Sequence, residues 1–66
     1  MKLAIERLYR ELTETQDLIN DYEARRDKVA RGSASYRCID SEVQFYRGKA
    51  HGIRIAIQAI YSTNAE

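Results

Sequence analysis

Residues 36–60 read YRCIDSEVQFYRGKAHGIRIAIQAI, and the spacing of their apolar residues decides the fold. Tyr36, Ile39, Val43, Tyr46, Ala50, Ile53, Ile57 and Ile60 recur at alternating steps of three and four, with no charged or amide side chain among them. A repeat averaging about 3.5 residues lays one seam along a helix and holds it against a partner helix, as in a coiled coil. Just upstream stands a cluster of small residues, Gly32-Ser33-Ala34-Ser35. Beyond it the same alternation runs through Ile5, Leu8, Leu12, Thr15, Ile19, Tyr22, Arg26 and Val29, where only Thr15 and Arg26 interrupt the apolar run. Two helices joined by so short a connection must fold back on each other, so the sequence predicts an all-α fold, an antiparallel, coiled-coil-like two-helix hairpin.

The expected bounds place helix 1 over about residues 2–31, the loop at 32–35, helix 2 over about 36–61 and a frayed tail at 62–66, all within one domain, 1–66. Gly32 is expected to end helix 1 as a C′ glycine, with Lys28 and Arg31 favouring the negative end of the dipole. Ser33 or Ser35 is expected to cap helix 2, and Ser41-x-x-Gln44 offers a later start. Register follows from matching the two seams. The layers become Val29/Tyr36, Arg26/Ile39, Tyr22/Val43, Ile19/Tyr46, Thr15/Ala50, Leu12/Ile53, Leu8/Ile57 and Ile5/Ile60. This register also sets Arg25 beside Glu42, Glu23 beside Arg47 and Tyr9 beside Tyr61 on the flanks.

Helix 2 carries more apolar surface than a hairpin uses. Phe45, Gly48, Gly52, Ile55 and Ala59 recur at three- and four-residue steps on the side away from the seam. A helix apolar on two sides is normally central to a bundle. Each glycine costs roughly 1 kcal/mol against alanine inside a helix, so two of them four apart suggest close approach of another backbone. Lys49 and His51 lie between them, which rules out a membrane setting and leaves the packing geometry alone. Size points the same way. A chain of 66 residues with one cysteine and one histidine has no internal disulfide and no structural zinc site to reinforce a thin core. The expected answer is a homodimer in which helix 2 meets its copy, giving a four-helix bundle; docking of the same face on a different protein is the alternative.

Charge is balanced in sum and segregated in place. Eleven basic and ten acidic residues leave a net charge of +1, so no global field selects nucleic acid or an anionic membrane. Glu11, Glu14, Asp17, Asp21 and Glu23 form an acidic run without a base, while Arg25, Arg26, Lys28, Arg31 and Arg37 gather around the hairpin tip against Asp27 alone. That tip is the candidate nucleic-acid contact, with Tyr36 as a stacking surface and Arg47, Lys49 and Arg54 further along helix 2. The competing reading is that the bases serve the helix dipole and Arg25 meets Glu42, with Arg26 snorkelling from the seam to solvent. Glu14, Asp17 and Asp21 share an outward face, yet bundle metal sites point inward and use a Glu-x-x-His step that this chain lacks. No metal and no cofactor is expected.

Nothing points to catalysis. His51 has no nucleophile at a suggestive spacing and sits between Arg47 and Arg54, and Cys38 lacks a partner base. The three glycines form no phosphate-binding loop. The opening Met1-Lys2-Leu3-Ala4-Ile5 imitates a signal-peptide start, but Glu6 and Arg7 cut it short, and no apolar run approaches the ~20 residues that span a bilayer. A lone thiol suits the reducing cytoplasm. The expected function is that of a small, non-enzymatic intracellular module for protein–protein interaction or regulation through helix faces. A nucleic-acid-associated regulator and a structural subunit of a larger assembly are the other two readings.

Overall fold

The computed structural model describes residues 2–64, with side-chain burial for residues 3–63; Met1, Ala65 and Glu66 lie outside the described residues. Two helices, α1 (Lys2–Arg26) and α2 (Ala34–Asn64), pack on each other as an antiparallel hairpin, about as long as α2 itself at 50 × 15 × 11 Å. The expected seam is the interface. All sixteen of its positions are buried or half-buried, and Ile19, Val43, Ala50, Ile53 and Ile57, with Thr15 among them, form the core proper. Thr15 interrupts the apolar pattern but stands opposite small Ala50 in the expected layers, and it is as buried as its aliphatic neighbours.

Cross-helix contacts follow the expected flanks in two places and depart in one. Arg47 donates to Glu23 at 2.5 Å, and Tyr9 meets Tyr61 near the base of the hairpin. Arg25, expected beside Glu42, instead pairs with Asp21 one turn back at 2.9 Å and lies 5.6 Å from the Tyr22 ring centroid. An i,i+4 partner on the same helix needs no bridging of the gap between helices, so it wins. Within the seam, Tyr46 stacks on Tyr22 with centroids 5.7 Å apart, one step tipward of its expected layer partner Ile19. The cause is geometric: side chains lean toward the N-terminus of their own helix, so in an antiparallel pair they lean in opposite directions along the axis. Contacts between long side chains therefore fall at higher-numbered partners than the backbone layers do.

The turn differs most from expectation. α1 ends at Arg26, five residues before the expected stop near residue 31, and the connection spans residues 27–33. Asp27 and Val29 are weak helix formers, and the ladder tightens over them: Asp27 N–H still donates to the Glu23 carbonyl, but Lys28 and Val29 donate to Arg25 and Arg26, three residues back. Gly32 is consequently no C′ glycine. It holds a φ of +82° in a reverse turn closed by Ser33 N–H donating to the Ala30 carbonyl at 3.1 Å, the position that a type II turn reserves for glycine. Ser33, one of the two expected caps, accepts from Tyr36 N–H at 3.1 Å and starts α2 at Ala34, two residues earlier than expected. Ser41 lies inside the helix, its hydroxyl donating to the Arg37 carbonyl. At the far end α2 continues through Ser62, Thr63 and Asn64, where a frayed tail was expected; the remainder of that tail lies outside the described residues.

Candidate functional site

The five residues of the second stripe share the face of α2 that turns away from α1. Phe45 is 64% exposed and Ile55 51% exposed, and Gly48, Gly52 and Ala59 between and beyond them are exposed as well. Phe45 touches its neighbour Tyr46 edge-on, at 5.1 Å between centroids, and Tyr46 in turn joins the seam. The stripe is thus coupled to the core through one aromatic step, while its outer side meets only solvent. Beyond the local backbone of its own helix, a methyl group built at Gly48 or Gly52 would meet no atom within 4 Å, so inside the single hairpin no neighbour requires glycine at either place. Along the face the order is one large side chain, Phe45, then the two glycines, then a second large one, Ile55. Chemically it offers close van der Waals approach to another backbone and no hydrogen-bonding or ionisable group of its own.

The basic tip is less uniform than its sequence. Arg26 is only 16% exposed on its side chain. Its guanidinium donates to Asp40 at 2.7 Å, lies 3.8 Å from Glu23 and sits over the Tyr36 ring. The Arg26 Nε atom is buried without a hydrogen bond, with the Asp27 carboxylate at 3.7 Å. The expected snorkelling does not occur, because carboxylates on both helices meet the charge where it stands. Asp40 above all holds the guanidinium protonated even more firmly than usual, against the cost of burial. With Arg25 paired to Asp21, three of the five tip cations, Lys28, Arg31 and Arg37, carry no ion-pair partner among the described residues.

A second surface lies along one flank of the hairpin. A groove of about 420 Å³ is lined by Gln16, Ile19, Glu23, Arg47, Ala50, His51 and Arg54. Arg47 crosses it to Glu23, and Arg54 donates to the Gln16 side-chain carbonyl at 3.1 Å, so both arginines are used to clamp α2 on α1. At the base of the same flank, hydrogen bonding to Tyr61, then burial, raise the Tyr9 pKa above its ordinary 10.0. Sequence reading placed the Arg47 and Tyr9 pairs; it did not find the Arg54–Gln16 bond between the flanks or the Arg26–Asp40 bond, which runs from a seam residue to the neighbour of its layer partner Ile39. Cys38 is exposed and free, and among the described residues no group of three or more His, Cys, Asp or Glu side chains is placed to hold a metal ion. No described helix is long and apolar enough to cross a membrane. Comparison of the chain with protein-family models, with curated proteins and with solved structures finds no match.

Proposed function

We propose that this hairpin is a small, non-enzymatic protein–protein interaction module that acts through the outer face of α2. The observation that carries the reading is the exposure of Phe45 and Ile55 on a stripe whose other members are two glycines and an alanine. Isolated exposed apolar residues are ordinary on protein surfaces. A continuous apolar line with helix-weakening glycines at its centre is not, and it is the usual mark of a surface that another polypeptide covers. In this reading the hairpin is half of a four-helix bundle, its seam is a short coiled coil, and regulation consists of which chain occupies the second face. A lone cysteine, Cys38, suits a reducing compartment and supports a cytoplasmic setting for the module.

The test is co-purification of the tagged full chain from its host at low and moderate salt, beside Phe45→Asp and Ile55→Asp. The expected result is one stoichiometric protein retained at both salt concentrations and lost from both variants, with helix content by circular dichroism unchanged. Retention indifferent to both substitutions overturns the reading. A second reading is supported by the unpaired Lys28, Arg31 and Arg37: a nucleic-acid-associated regulator gripping phosphates with its tip. It predicts retention that salt abolishes, because each neutralised phosphate releases counterions, and loss of binding in a Lys28/Arg31/Arg37→Ala variant.

A further inference from the structure

We infer that the groove on the flank of the hairpin is a binding site for a small phosphomonoester, whose phosphoryl group is held by Arg54, His51 and Gln16. The groove lies between the two helices, apart from the outer stripe of α2, and the inference does not depend on what that stripe binds.

The seam leaves the space. Ala50 is its smallest residue and stands opposite Thr15 in the layers, and beside it opens a hollow of about 420 Å³. Small-molecule pockets run from roughly 300 to 1,000 Å³, so the volume suits a ligand of modest size. Buried Ile19 and Ala50 line its bottom. Two bridges between the helices bound it, Arg47 to Glu23 and Arg54 to Gln16. Their members stand one heptad apart on each helix, which sets the bridges about 10 Å apart along the axis. Between the two arginines stands His51, exposed, with no side-chain hydrogen bond or ion pair among the described residues.

What the groove leaves unused is donor capacity. Its two acceptor side chains are engaged: Glu23 accepts from Arg47 and lies 3.8 Å from Arg26, and the Gln16 carbonyl accepts from Arg54 at 3.1 Å. Arg54 keeps most of its N–H donors beyond that bond, the Gln16 amide keeps its N–H pair, and His51 adds a ring N–H. A ligand that enters therefore meets donors from both helices and must bring acceptors.

Charge selects the same class. Two arginines and one glutamate line the groove, a net charge of +1. Glu23 is turned to Arg47 and Arg26, whereas Arg54 has only a neutral amide for a partner, so the uncompensated charge sits at Arg54. A phosphomonoester near neutral pH carries a charge of about −1.5 to −2 and three terminal oxygens, one for each of Arg54, His51 and Gln16. A carboxylate or a phosphodiester brings one charge and two free oxygens, and leaves a donor unmet. Ile19 and Ala50 give the organic part of the ester an apolar surface to rest on.

The chain has a single histidine, so the ring C–H signals of His51 report the site without ambiguity. The full chain is titrated near neutral pH, at constant ionic strength, with phenyl phosphate and separately with dimethyl phosphate and acetate. Expected is a His51 shift that saturates at millimolar phenyl phosphate, with dimethyl phosphate and acetate at least about tenfold weaker, the cost of losing one charge-assisted hydrogen bond. Arg54 is exposed, so Arg54→Gln is expected to keep the helix content, and to weaken phenyl phosphate binding by roughly tenfold or more. Lys28→Gln, at the tip and outside the groove, is expected to leave binding unchanged. A His51 response that never saturates, or equal affinity for the diester, overturns the phosphomonoester site. Undiminished binding in Arg54→Gln, or equal weakening in Lys28→Gln, overturns its placement in this groove.

Discussion

Arg26 shows how a charge can occupy a seam position. It stands where the repeat calls for an apolar residue, and the fold surrounds its guanidinium with Asp40, Glu23 and the face of Tyr36. Ion pairs of this kind specify geometry more than they add stability, because desolvation offsets much of the attraction. Asp40→Ala is therefore expected to destabilise the hairpin by about 1–2 kcal/mol, by leaving a part-buried charge short of a partner. Arg26→Leu is expected to be neutral or stabilising, since it removes the charge and fills the seam; urea denaturation of the two variants measures both, and a larger loss for Arg26→Leu would contradict this. Tyr9 provides a second residue-level check. Its pKa is raised, so the fold favours the neutral phenol; that contribution is intact below the ordinary value of 10.0 and is lost as pH climbs through the raised one. Ultraviolet titration should show a tyrosine ionising late in the parent chain and nearer to 10.0 in Tyr61→Phe.

At the scale of the helix, periodicity was the legible signal and termini were not. The seam could be read because burial repeats along it: Val43, Ala50, Ile53 and Ile57 follow one another at the helical steps and all reach the core. The end of α1 could not, because Val29 continues the apolar spacing and so imitates one more helical turn; what stops the helix is local hydrogen bonding around Asp27 and Lys28, which leaves no periodic trace. The outer stripe of α2 was legible in position, while Arg54–Gln16 was not, since an arginine on a polar flank has several acceptors within reach. Glycine gives the helix its own test. In the dilute single hairpin Gly48→Ala and Gly52→Ala fill open space and should each raise stability by about 1 kcal/mol through helix propensity, a rise in melting temperature of roughly 4–8 °C for a domain of this size. If either lowers it, the glycines serve the hairpin itself and not the outer stripe.

As a whole molecule, the hairpin is a rod with one satisfied face and one unsatisfied one. Its core proper is a handful of side chains over a 31-residue helix, a thin foundation for a chain that has no disulfide to add. In the proposed four-helix bundle, a second polypeptide over Phe45 and Ile55 would enlarge that core at the position where α2 is already apolar on both sides, so stability and recognition would become the same event. The most direct measurement compares two isoleucines on opposite sides of α2. In methyl-labelled protein, a soluble paramagnetic agent should leave Ile57, in the seam, protected with or without the co-purified protein; Ile55 should be attacked in the isolated chain and become as protected as Ile57 in the complex. If Ile55 stays as accessible in the complex as in the isolated chain, the outer face of α2 is not the interaction surface.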